Sequence, residues 1–292
     1  MHDQAENLRK RIKSKEGNTR TISIVSGKGG VGKSNFALNF ALALIRQGRK
    51  VLVIDLDIGM GNIDVLLGKH SNRSINDLFE ADTTIDKLVE EGPEGLQYIS
   101  GGSGLGNLFE FNEQRRNKFF TEFEQLSGHY DFVIFDMGAG ATKESIAFIL
   151  ASDDCILILT PEPTALTDAY GMIKHIINNY GNMPINIVMN RSVSDKIGYK
   201  ALKGLQEVAK QFLGRDLFGL GIMPEDSTVQ KAVMKQMPYL IYKENAAVSN
   251  AVIKIAATFL GKPSEDSGSF LSRLMQLVKQ RGGGYGNQSS RN

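Results

Sequence analysis

This sequence predicts an α/β fold, a doubly wound and mostly parallel sheet with helices on both faces and an added C-terminal amphipathic helix. Three observations predict it. Short apolar runs recur along the chain, stretches of helical period separate them, and a glycine-rich loop joins the first run to the first helix. The runs are apolar almost throughout rather than alternating, which suits parallel strands covered on both faces. Strand–helix alternation then places helices on each side of one open sheet.

In chain order the strand candidates are TISIVS (21–26), KVLVID (50–55), the weaker LQYIS (96–100), DFVIFD (131–136), CILILT (155–160), INIVMN (185–190) and FGLGIM (218–223). The first helix is read in SNFALNFALALIRQG, where Phe36, Phe40, Ala43 and Leu44 share a face and Gly48 is the stop signal. This main unit covers residues 20–261. A basic lead, residues 1–19, precedes it and carries Arg9, Lys10, Arg11, Lys13 and Lys15. Residues 262–269, KPSEDSGS, have linker composition, and FLSRLMQLVKQR (270–281) and a glycine-rich tail (282–292) follow. No internal repeat is visible.

Composition narrows the function classes. Basic and acidic residues number 34 and 32, so the chain as a whole is no polycation for nucleic acid and no specific nucleic-acid partner is expected. The single cysteine, Cys155, lies in an apolar run, reads as a buried strand residue, and excludes a disulfide framework within the chain. The charged N-terminus lacks the apolar core of a signal peptide. No apolar run approaches the ~20 residues of a membrane-spanning helix, and a cytoplasmic protein is expected.

The chemistry centres on SGKGGVGKSN, residues 26–35. Gly27 to Ser34 fits G-x-x-x-x-G-K-[ST] after a strand and before a helix, the context that confirms a phosphate loop. Gly27, Gly29, Gly30, Val31, Gly32 and Asn35 belong to this loop, whose backbone amides and helix N-terminus suit phosphate oxygens. Lys33 is placed to reach the β- and γ-phosphates, and Ser34 to ligate Mg²⁺. Lys28 is not required by the motif. A long cation there can point across an interface toward a nucleotide held by a second copy, although chemistry alone reads it equally well as a surface lysine. Asp55 and Asp57 stand just past a strand's carboxyl end, where alternate carboxylates can share metal and water duties. Asp136 ends another apolar strand as a Mg²⁺ carboxylate, and Gly138 and Gly140 allow the segment after it to move. Asn190 has an amide able both to donate to and to accept from an adenine edge.

KGGVGKS resembles the deviant phosphate loop of the ParA/MinD group of ATPases. That resemblance implies Mg²⁺ with ATP and slow regulatory hydrolysis. It also implies a nucleotide-sandwich homodimer in which Lys28 contacts ATP across the interface. It assigns Asp57, second of D-x-D, to orienting the attacking water, and the catalytic set becomes Lys28, Lys33 and Asp57. Asn190 with Arg191 then takes the base, as does the loop GIMPED with Pro224 and Glu225. Gly138 departs from the proline common in the group, which leaves the details of that switch open.

The two ends choose among relatives. In FLSRLMQLVKQR, Phe270, Leu271, Leu274, Met275, Leu277 and Val278 form an apolar face, and Arg273, Lys279 and Arg281 are basic with no acid in the run. Twelve residues at ~1.5 Å each cannot cross a bilayer but can lie in its interface. A terminal helix docked on the core, or in a partner groove, would show a similar pattern. Linker and tail favour a detached helix on an anionic membrane surface, similar to that of the MinD branch. DQAENLRKRI (3–12) resembles the N-terminal activator motif of the FlhG family of flagellar number regulators. The resemblance implies that Asp3, Gln4, Ala5, Leu8 and Arg9 contact FlhF, an SRP-type GTPase, and stimulate it. Flagellar switch-complex components are further expected partners. The alternatives are MinD-type division-site selection, ParA-type DNA partitioning and a non-catalytic scaffold on the membrane. An iron–sulfur carrier of the superfamily would need paired cysteines.

Overall fold

The structure is a computed structural model that describes residues 19–57, 62–80, 82–102, 113–126, 128–140, 143–179, 183–262 and 269–282, without the side chains of 113, 116, 143–144 and 278–282. The strands are β1 (Arg20–Val25), β2 (Val51–Leu56), β3 (Glu90–Glu91), β4 (Gln97–Ile99), β5 (Phe132–Met137), β6 (Asp154–Leu159), β7 (Ile185–Ser192) and β8 (Phe218–Pro224). They form one sheet in the order β3-β4-β2-β5-β1-β6-β7-β8. Every pairing is parallel except β3 against β4. All seven expected strands are present. The addition, β3, is two acidic residues at the sheet edge, too short and too polar to carry a pattern.

The described helices are α1 (Lys33–Ile45), α2 (Ile63–Leu67), α3 (Glu113–Leu126), α4 (Lys143–Ala151), α5 (Pro163–Asn179), α6 (Asp195–Leu213), α7 (Ser227–Met234), α8 (Tyr239–Tyr242), α9 (Ala247–Leu260) and α10 (Phe270–Gly282). On one face α1 and α9 close the core, with Phe40 stacked on Phe36 and edge-on to Phe259. The other face is covered by α3, α4, α5, α6 and α10. The central strands are buried along their whole length, which explains their unbroken apolar runs. The Gly48 stop also holds: α1 ends at Ile45, and Gly48, at φ 79°, donates its amide to the Ile45 carbonyl at 2.8 Å.

The C-terminal helix differs from expectation. It is not detached. Phe270, Leu271, Leu274 and Leu277 are buried in the same cluster as Phe123, Phe135 and Phe148, and Met275 packs at the edge. The Phe270 ring centroid lies 5.1 Å from those of Phe123 and Phe135, and 6.0 Å from that of Phe148. Arg273 does not face outward for lipid headgroups. It is 9% exposed, donates from Nε to the Ala151 carbonyl at 2.7 Å, and pairs with Asp153 Oδ1 at 2.6 Å. An apolar face meant for lipid is equally satisfied by an apolar groove, and here the groove takes it. The side chains of Val278 and Lys279, residues 263–268 and 283–292, and the N-terminal candidates Asp3, Gln4, Ala5, Leu8 and Arg9 lie outside the described residues.

Candidate nucleotide and magnesium site

Sheet register assembles the site. Asp136 sits opposite Ile24 of β1 and opposite Asp55 of β2, so two carboxylates from distant segments stand side by side near the strands' carboxyl ends. The phosphate loop leaves β1 there and enters α1. Two of its glycines are compulsory. A Cβ on Gly27 would sit 2.4 Å from the Asp168 carbonyl oxygen of α5, and Gly32 has φ 90° with Asn190 Nδ2 2.6 Å from where a Cβ would lie.

Lys33 holds the centre. It is 6% exposed, and its Nζ donates to Asp136 Oδ1 at 2.6 Å and to Ser34 Oγ at 3.3 Å, with Asp57 Oδ2 at 3.6 Å. Burial alone would lower the ammonium's pKa, but Asp136, Asp57 and Asp55 more than reverse this and hold it above its ordinary value. Asp57 is pushed up by burial and by Asp136, with Lys33 opposing. Asp55 is pushed up to about 7, first by burial and then by Asp136. Its oxygens accept backbone amides, Oδ1 from Asp57 at 2.9 Å and Oδ2 from Asn62 at 2.8 Å and Ile63 at 3.3 Å. Asp55, expected to share metal duties, thus has both oxygens taken by backbone amides.

The residues fit a small hard cation. Asp136 is fully buried, and its Oδ2 has no hydrogen-bond partner among the described residues; the buried hydroxyls of Ser26, Thr160 and Tyr239 also have none. A buried carboxylate oxygen without a donor is an open coordination position. The described residues hold no cluster of three or more His, Cys, Asp or Glu suited to a metal. One hydroxyl, one carboxylate, water and substrate phosphates are the donor set Mg²⁺ accepts.

The base-side candidates also converge. Ser192 pairs with Pro224 across β7 and β8, and the Glu225 amide donates to the Ser192 carbonyl at 2.9 Å. Asn190 Nδ2 donates to the Val31 carbonyl at 2.7 Å, which ties this strand end to the phosphate loop, and Arg191 takes φ 52° beside it. Lys28 stands apart. It is exposed, and its Nζ donates to the Thr164 hydroxyl at 3.2 Å. Asn35 accepts from the buried Asn39 side chain, a structural bond within α1. Gly140, with φ 85°, donates its amide to Ser26 at 3.1 Å. Sequence reading missed the polar cluster of Arg20, Asp153, Asp154 and Arg273 at the opposite end of the sheet. The signal was an arginine at the edge of an otherwise apolar helix face.

An open parallel sheet with a phosphate loop and facing carboxylates at its carboxyl edge defines the P-loop NTPase class. Residues 22–239 match the CobQ/CobB/MinD/ParA nucleotide binding domain, and the chain belongs to that family of MinD/ParA-like P-loop ATPases. It is 32% identical to the antiactivator FleN of Pseudomonas aeruginosa, over 74% of this chain and 78% of FleN. It is also 32% identical to the flagellum site-determining protein YlxH of Helicobacter pylori, over 90% of this chain and 92% of YlxH. Among solved structures it resembles the septum site-determining protein MinD of Pyrococcus horikoshii complexed with Mg-ADP, with a TM-score of 0.67 at 26% identity, covering 84% of this chain and 96% of that one.

Proposed function

We propose that the protein is an ATP-dependent switch that controls flagellar number and placement. It binds ATP with Mg²⁺, closes into a sandwich homodimer, and resets by slow hydrolysis. The observation that carries this reading is the Lys33, Asp57 and Asp136 constellation, with one oxygen of Asp136 open. Lys33 supplies the positive charge for the phosphates, Ser34 and Asp136 would hold the cation, and Asp57 lies close enough to Lys33 to orient water beside it. Mg²⁺ when bound neutralises charge developing on the phosphate oxygens. The exposure of Lys28, whose ammonium pairs with no carboxylate among the described residues, supports a role at the nucleotide of a second copy. The flagellar assignment rests on likeness to FleN and YlxH.

Three finer features complete the proposal. Residues 1–19 contact and stimulate an SRP-type GTPase, FlhF, and switch-complex components are further partners. In the ATP dimer α10 leaves its groove for an anionic membrane surface. The protein is cytoplasmic and peripheral to the membrane. No described helix is long and apolar enough to cross a membrane. The test is complementation. Lys28→Ala should bind ATP as a monomer without hydrolysing it, and Asp57→Ala should dimerise without hydrolysing it. Mixing them should restore activity, because a heterodimer contains one intact composite site. Mixtures no more active than either variant alone would sink the sandwich model.

A further inference from the structure

Three points where the chain enters or leaves the ATPase unit meet at one acidic dipeptide. Asp153 lies in the turn between α4 and β6, and Asp154 opens β6, at the end of the sheet opposite the phosphate loop. The entering chain is pinned first. Thr19 Oγ1 donates to the Tyr130 carbonyl at 2.7 Å and accepts from the Gly128 amide at 2.9 Å. Arg20 Nε pairs with Asp154 Oδ2 at 2.6 Å, and its guanidinium lies 4.6 Å from the Phe259 ring centroid. Thr21 donates both its amide and its hydroxyl to Asp153 Oδ2, each at 2.7 Å.

The leaving chain is pinned to the same pair. Lys262, just past α9, donates to the Asn186 side-chain oxygen, and Asn186 in turn donates to Asp154 Oδ1 at 3.2 Å. Beyond residues 263–268, Arg273 of α10 pairs with the other oxygen of Asp153, Oδ1, at 2.6 Å. Asp153 thus holds the root of the N-terminal lead on one oxygen and the C-terminal helix on the other.

We propose that Asp153 couples the two ends of the chain, so that undocking of α10 loosens the root of the N-terminal lead and release of that root loosens α10. The physical argument is the sharing of one carboxylate. While α10 is docked, the Arg273 charge fixes Asp153 in the rotamer that Thr21 needs. Without Arg273 the carboxylate keeps two neutral donors, stands beside Asp154, and gains by turning to water. The helix supplies the two-state element that such coupling requires, docked or undocked, and linkage makes the effect reciprocal. A signal received at one end of the chain is then readable at the other, across the end of the sheet opposite the phosphate loop. The inference rests on the docked helix and is independent of whether lipid or FlhF is the ligand at either end.

Hydrogen exchange of the full-length protein tests it, because the Thr21 amide is itself bonded to Asp153. Arg273→Gln should speed exchange of that amide about tenfold while residues 33–45 keep their protection. Thr21→Val, which removes only the hydroxyl, should speed exchange within residues 270–277. Leu274→Ala loosens the helix by packing alone and should also speed the Thr21 amide, and Arg273→Lys should restore much of its protection. Changes confined to the substituted element would overturn the coupling. So would a uniform rise that includes residues 33–45, since that marks general loss of stability.

Discussion

A lysine ammonium 2.6 Å from a fully buried carboxylate cannot be exchanged for a neutral amide without stranding a charge. Lys33→Gln should therefore abolish ATP binding in calorimetry, because the phosphates lose their main cation. It should also destabilise the nucleotide-free protein by about 3–5 kcal/mol, since Asp136 keeps no cation of its own in the interior. A denaturant midpoint equal to that of the parent would refute the second expectation, and unchanged ATP affinity the first. At this scale the motif made Lys33, Ser34 and Gly32 legible from spacing alone. The partner of Lys33 was not, for Asp136 lies 103 positions away and only the register of β5 between β1 and β2 brings it close. Asn190 shows the same limit. Its amide chemistry was readable, but its bond to the Val31 carbonyl depends on β7 ending level with the loop.

At the scale of elements, buried parallel strands announce themselves because both faces need apolar side chains, and all seven such runs became strands. Edge strand β3 has neither face to bury and left no trace. The amphipathic C-terminal helix was legible as a helix but not in its placement, because the apolar stripe of a 13-residue helix fits a protein groove or a lipid interface alike. Its first residue is the test of what holds it. Phe270→Ala removes a ring packed among Phe123, Phe135 and Phe148, a type of loss of about 3–5 kcal/mol in a closed core. A terminal helix can detach before the core opens, so the loss should appear locally. Limited trypsin digestion should cut at Arg273 about tenfold faster while the main unit persists. An unchanged cutting rate would show that ring packing is not what docks the helix.

For the whole molecule, the decisive quantity is the difference between groove and membrane as hosts for one helix face. Each of Phe270, Leu271, Leu274 and Leu277 is worth at most ~1.5–3 kcal/mol on leaving water, and either host supplies most of that. The exchange is therefore close to balanced, and a modest bias from dimerisation can move it. Two helices on one dimer add avidity without new contacts. Attraction to anionic lipid, about 1 kcal/mol per basic residue, favours the membrane, although Arg273 must first give up Asp153. The full chain should float with anionic liposomes only when ATP and Mg²⁺ are present, and less as salt rises. A chain lacking residues 269–292 should bind ATP but stay at the bottom of the gradient, with a lipid-free run to separate binding from aggregation through the uncovered phenylalanines. Flotation of the truncated chain equal to that of the full one would show that the helix is not the anchor. Flotation of the full chain without nucleotide would show that the groove does not retain the helix against lipid, and the switch would then have to lie elsewhere than in docking.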